Sequence, residues 1–292
     1  MFVFSSCEKE FKVNELEFDV VTSKKTYHVN EDVDFQFKGN PDIISFYSGE
    51  IKSDYNYKNG RVLNTDLTAS FKIKFTNKEQ DNQLSVKVST DLKSYDIADV
   101  NAATWTDITD RYTLPTANQS AYNTVGEANL NDLIEEGKPM YYAFRYINRP
   151  NAVYGAYDSW EFSTFLMNYK TELEDVILLN QTTAAWKIVL DGSWETGRVV
   201  KYSTTLRFIG NGTPIPTDQV AWAISAPVYA SPKVDLGADR AIPIKALADP
   251  HRDGYNFRYS KPGIYKVTFI AANQNASGRK EVIKQFEIEI LP

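Results

Sequence analysis

Ser70-Phe71-Lys72-Ile73-Lys74-Phe75 alternates polar and apolar side chains residue by residue. Successive side chains of an extended chain point to opposite faces, so such a run buries one face and wets the other. The same period of two recurs in Asp32-Val33-Asp34-Phe35-Gln36-Phe37, Leu84 to Val88, Tyr265 to Phe269 and Phe286 to Ile290. Strands of this kind belong to antiparallel sheets packed face to face. Turn-forming clusters separate them: Gly39-Asn40-Pro41, Asn59-Gly60, Gly210-Asn211-Gly212 and Lys261-Pro262-Gly263. A short helix is predicted around Asn131 to Glu136 and a second near Leu173 to Leu178. The fold class is therefore all-β, made of several β-sandwiches.

The 292 residues admit two or three domains, and an apolar share of 42% is enough to build their cores. No apolar run approaches the roughly 18 to 20 residues that cross a bilayer as a helix. Net charge is −6, with no basic stripe of the kind that phosphate recognition needs, so nucleic acid is not expected as a partner. A single cysteine excludes an internal disulfide and leaves stability to packing. Aromatics are abundant, with 18 Tyr, 16 Phe and 5 Trp. Many suit strands; the surplus could face outward and stack on the apolar faces of sugars.

Four segments follow. Residues 1–15 hold the cysteine and a charged tether, 16–66 read as immunoglobulin-like strands, 67–170 as a longer strand set, and 171–292 as a further sandwich region. The expected joints are the Asn59-Gly60 turn and the stretch from Asn168 to Asp175. Cys7 follows Phe4-Ser5-Ser6 and precedes Glu8-Lys9-Glu10. This setting resembles a bacterial lipobox, which makes Met1 to Phe4 the end of a signal peptide and Cys7 an acylated first residue. Two or more acyl chains give durable membrane attachment.

Tyr27 to Phe37 and Asp42 to Glu50 resemble the opening strands of a PKD-type immunoglobulin-like module. Tyr259-Ser260-Lys261-Pro262-Gly263-Ile264-Tyr265-Lys266-Val267 resembles its closing strand, followed by Lys284 to Leu291. The two ends are read as separate modules; the alternative is one sandwich interrupted by a large insertion. In between, Val88-Ser89-Thr90-Asp91, Ala103-Thr104-Trp105-Thr106, Ala143-Phe144-Arg145-Tyr146 and Trp160-Glu161-Phe162 follow one another. Their order resembles galactose-binding-like jelly-roll modules of Bacteroidetes surface proteins. The chain as a whole is similar to the DUF5017 family of Bacteroidetes lipoproteins. That resemblance implies an outer-membrane lipoprotein, and the acidic Glu8-Lys9-Glu10 flank implies exposure to the cell exterior. The connection from Asn148 to Ser159 is longer and richer in tyrosine than the resemblance leads one to expect.

Trp105 and Trp160 lie in strand signatures and are assigned to core. Trp194 sits among Gly192, Gly197 and Asp191, in a turn, and is a glycan-binding candidate. Tyr154 and Tyr157, beside Gly155 and Asn151, are candidates for the same reason; Tyr95 and Tyr122 are weaker ones. Asp91, Asp96 and Asp99 share one loop and could hold a structural calcium, although their spacing matches no known calcium loop. Otherwise no cofactor is expected. The four Asn-x-Ser/Thr sites, at Asn118, Asn180, Asn211 and Asn275, imply surface loops. Catalytic signatures are missing: His28 and His251 build no His-Glu-x-x-His motif, and neither a nucleophile elbow nor a phosphate loop occurs.

The functional expectation is a non-catalytic, surface-exposed lipoprotein that binds glycan for a polysaccharide-utilisation system, alongside other proteins of an uptake complex. The alternatives are a structural or adhesive sandwich that contacts other proteins, and a glycoside hydrolase, whose acid pair is defined by spatial separation rather than by sequence.

Overall fold

A computed structural model of the chain describes residues 12–77 and 79–292; Cys7 and its flank lie outside the described residues. The protein is nearly all β and divides into two compact units. Among the described residues, one unit combines residues 12–62 with 235–292, and the other spans 63–234. The domain boundaries therefore differ from the sequence expectation. The first crossing falls close to the Asn59-Gly60 turn, but Asn168 to Asp175 is no joint: it turns the chain between two neighbouring strands, Ser159–Lys170 and Asp175–Asn180. The terminal segments form one interrupted sandwich instead of two modules.

The pairing of the terminal unit makes this plain. Ile43–Tyr47 from the N-terminal segment pairs with Gly263–Asn275 from the C-terminal one, and Thr26–His28 runs parallel to the last strand, Gly278–Leu291. Asp32–Lys38 is flanked by Asp19–Thr22 and Gly254–Arg258. The inward residues of its alternation, Val33 and Phe35, are fully buried, and Phe35 packs against Phe46 and Phe269 of the facing sheet. Such edge and tilted contacts between rings add to the burial of their area.

The central unit has two sheets. The front sheet has the order Lys187–Asp191, Gln219–Ile224, Tyr141–Asn148, Leu84–Ser89, Thr106–Asp107. The back sheet has six strands, centred on Ser159–Lys170 and Asp66–Thr76. Phe71, Phe144, Phe162 and Phe208 meet between the sheets, with Tyr142, Tyr146 and Trp186 around them. Ser159–Lys170 shifts register between Ser163 and Leu166, where Thr164 has φ 55°. The bulge lets one strand pair with Thr205–Ile209 along its first half and Asp175–Asn180 along its second.

Alternation located the strands, and local helix pattern served less well. Asn131–Leu133 is a single 3-10 turn, and Leu173 to Leu178 contributes to the Asp175–Asn180 strand rather than a helix. Two short helices, Ile97–Ala102 and Asn151–Tyr154, escaped the reading because neither is long enough to show a 3.6-residue period.

Candidate functional site

The aromatic surplus goes mainly inward. Trp160 is buried and stacks on Phe75 with ring centroids 4.0 Å apart. Trp105 departs from its core assignment: it is half-buried outside the sandwich, 4.8 Å from Trp222 on the outer face of the front sheet, and donates its N–H to the Val100 carbonyl. Tyr95 lies over the same outer face and donates to the Ser225 carbonyl. Tyr122 is elsewhere, on the back sheet, donating to Glu161 at 2.7 Å. Neither joins the remaining candidates.

Tyr154 and Tyr157 share one connection, and the turn that holds Trp194 reaches Tyr157 through Glu195 and Arg198. The Tyr141–Asn148 strand ends at this connection and the chain turns through Asn151–Tyr154 and Gly155, whose φ of 86° suits glycine, before it enters the back sheet at Ser159. Tyr157 Oη accepts from Arg198 at 3.3 Å, and the guanidinium carbon lies 5.2 Å from the Tyr157 ring centroid. Arg198 is in turn held by Glu195, with Nε to Oε2 at 2.7 Å. Glu195 also accepts from the Thr213 hydroxyl and from the backbone N–H groups of Gly212 and Thr213. The Thr213 hydroxyl foremost, then those N–H groups, then Arg198, hold its carboxyl at about 2.

Trp194 precedes Glu195 in the same turn but folds back. Its ring is half-buried against the core, 6.1 Å from Tyr146, and its N–H donates to the Asp191 carbonyl at 3.2 Å. It supports the turn more than it presents a face. Tyr154 is outward, with half its surface exposed and the Arg149 guanidinium 5.6 Å from its ring centroid. Arg149 itself donates to the carbonyls of Asp81 and Asn82.

Beneath these side chains is a buried polar floor. Gln80 donates to the Arg149 and Gly155 carbonyls, Gln83 donates to Gln80, and Asp158 accepts from the N–H groups of Glu79 and Gln80. Asn211, read from sequence as a surface glycosylation-type site, is buried: its amide bridges Ser193 and Gln219, and its oxygen accepts from Glu195 N–H. Asn148 is fully buried with neither amide atom hydrogen-bonded. It packs against Gly210, where a Cβ would come within 2.3 Å of both Asn148 Oδ1 and Tyr157 Cβ. The site's side chains thus stand on a floor that leaves them little freedom.

Residues 6–186 match the family model described as a domain of unknown function, DUF5017. The chain belongs to the DUF5017 family. No curated protein and no solved structure matches it. The DUF5017 match includes Arg149, Tyr154 and Tyr157 but ends at Trp186, so Trp194, Glu195 and Arg198 come from sequence beyond it. It also crosses from the terminal unit into the central one.

The calcium candidates do not converge. Asp91 accepts from Ser89 and the Thr104 N–H, Asp99 accepts from Ser94, and Asp96 precedes the Ile97–Ala102 helix. Among the described residues no group of three or more His, Cys, Asp or Glu side chains could hold a metal. Asp91 lines a polar cleft of about 460 Å³ with Thr90, Asp132, Glu135 and Lys138. His251 is exposed between Asn40 and Asp253, and His28 is exposed beside the C-terminal strand.

The sequence reading missed both arginines of the site. Arg149 had a local signal, as a cation within the tyrosine-rich connection; Arg198 had none, because its partner Tyr157 is 41 residues away. Two further exposed tyrosines, Tyr202 and Tyr229, were also passed over.

Proposed function

We propose that this DUF5017 protein is a non-catalytic glycan-binding lipoprotein, anchored through Cys7 and facing the cell exterior as part of a polysaccharide-uptake system. In this reading the central unit is the galactose-binding-like jelly roll and the terminal unit the PKD-like spacer. The observation that carries it is the Tyr154–Tyr157 turn, flanked by Arg149 and Arg198 and set on a buried polar floor. Aromatic faces supply stacking surface, guanidinium and amide groups supply hydrogen bonds to hydroxyls, and a fixed floor lowers the entropy lost on binding. Glu195, held ionised by its hydrogen bonds, does not suit the general-acid role of a glycosidase. Affinity electrophoresis across plant and host polysaccharides tests the reading. Retardation by at least one glycan, lost in Tyr154→Ala/Tyr157→Ala, supports it; no retardation by any refutes it.

A second reading, an adhesive protein contact, is favoured by Val153, which is 74% exposed beside Tyr154. It predicts that Val153→Asp abolishes association with a protein partner and leaves polysaccharide retardation absent throughout.

A further inference from the structure

Arg145 is the one residue of its strand that is charged and sits at the sheet's centre. In register it lies between Ser85 and Trp222, on the outer face of the front sheet. It is half-buried, yet its guanidinium makes no hydrogen bond and no ion pair among the described residues. Its contact is with the Trp222 ring, 5.5 Å from the centroid. The carboxylates nearest in influence, Asp107 and Asp218, lie beyond ion-pair distance, and Asp107 is already engaged by Lys87 at 2.9 Å. Burial, reinforced by repulsion from Arg149, makes the charged state of Arg145 less favourable than usual. A half-buried guanidinium with no hydrogen-bonded acceptor among the described residues has its planar fork free to take a carboxylate.

Aromatic and apolar neighbours make the place a site. Trp222 is buried, and its indole N–H has no acceptor among the described residues. Trp105 extends the aromatic surface, 4.8 Å from Trp222 and tilted 34°. Ile147 and Val220, half-buried on the same face and paired in register, give an apolar edge toward Arg149. Arg149 carries its own charge without a carboxylate partner, because its donors go to carbonyl oxygens. Two guanidiniums that form no ion pair among the described residues, each over an aromatic ring, therefore repel one another at one end of the strand in a chain of net charge −6. The global charge opposes an anion only weakly, since it is screened beyond about 8 Å at physiological salt.

We propose that Arg145 and Arg149 select carboxylate-bearing sugars, uronic acids, over neutral ones. The fork of Arg145 receives the carboxylate bidentately while the half-buried Trp105 and the exposed ring of Tyr154, beside Arg149, border the sugar. This rests on the glycan reading for its ligand class.

Titration calorimetry of the full chain with oligomers of galacturonate, glucuronate and mannuronate, each beside its carboxyl-reduced neutral counterpart, tests it. At least one acidic oligomer should bind about tenfold or more tightly than its reduced partner, and added salt should shrink that margin. Arg145→Gln should erase the margin, and Arg149→Gln, a change at a more peripheral position, should reduce it, with thermal melts of both variants matching wild type. Equal binding of acidic and reduced forms, or a margin that survives Arg145→Gln, overturns the inference while leaving glycan binding intact. Binding of neither form, acidic or reduced, overturns the inference, and the glycan reading falls with it only if no polysaccharide retards the chain in gels.

Discussion

Arg61 and Asp239, 178 residues apart in sequence, form a buried two-point ion pair, with Nε to Oδ1 at 3.0 Å and a second nitrogen to Oδ2 at 2.6 Å. Their side chains are 6% and 3% exposed. Arg61 also lies over the Tyr57 ring, and Asp239 accepts the Asp54 N–H, so each charge is held on more than one side. The pair ties the N-terminal segment of the terminal unit to its C-terminal one.

Asp239→Asn should destabilise the terminal unit by about 3 to 5 kcal/mol, because it strands a buried guanidinium. Replacing both residues together, as in Arg61→Met/Asp239→Leu, should recover much of that loss. Denaturant unfolding of the three chains checks this. Burial alone would raise the Asp239 pKa, but the Arg61 bonds outweigh it and the pKa is lowered. The stabilisation is therefore present above the ordinary carboxylate range and is lost as pH falls through the lowered value. Asp239→Asn should accordingly show a weaker acid-induced loss than wild type.

Tyr122 gives a prediction at the opposite end of the pH scale. Burial, with Glu161 as acceptor and neighbouring charge, pushes its hydroxyl up to about 12. The contribution to stability is complete below the ordinary tyrosine value of about 10 and is lost as pH rises from there toward 12. Ultraviolet titration should show a late-ionising component, the equivalent of one tyrosine, that moves to lower pH in Glu161→Gln and is lost in Tyr122→Phe.

Thr164 holds a left-handed backbone, φ 55°, that a β-branched residue adopts only under strain. Thr164→Gly should leave the strand bulge in place and raise stability by up to about 1 kcal/mol, the strain relieved less the extra chain entropy. Thermal unfolding measures it.

Gly210→Ala tests the floor of the candidate site. A Cβ there would collide with Asn148 and Tyr157, so the Tyr157 turn must move. Loss of glycan retardation with the fold retained, by circular dichroism, is the expected outcome.

The strands were legible because a period of two is a local signal, and Asp32–Lys38 and Asp66–Thr76 carry it clearly. Their partners were not. Ile43–Tyr47 pairs with a strand more than two hundred residues later, and nothing local in Ile43-Ile44-Ser45-Phe46-Tyr47 distinguishes that neighbour from a nearer one. The aromatic excess misled in part, since composition does not separate Phe144, packed in the core, from Tyr154, which faces solvent. The loop placement of Tyr154 and Tyr157 was legible through the glycine and asparagine beside them. Trp194 carried the same signal, yet the apolar surface near Tyr146 draws it inward. Arg145 owes its position to sheet register and Arg198 to the turn that leads into the Val199–Lys201 strand, and both appear only once the chain is folded.

The most direct test of the account is calorimetric titration of the wild-type chain and of Tyr157→Ala with whichever glycan retards the wild type in gels. The account predicts saturable binding that weakens about tenfold in Tyr157→Ala, the size of one lost stacking and hydrogen-bonding partner, and is unchanged in Tyr95→Phe. Equal affinity of wild type and Tyr157→Ala would contradict it.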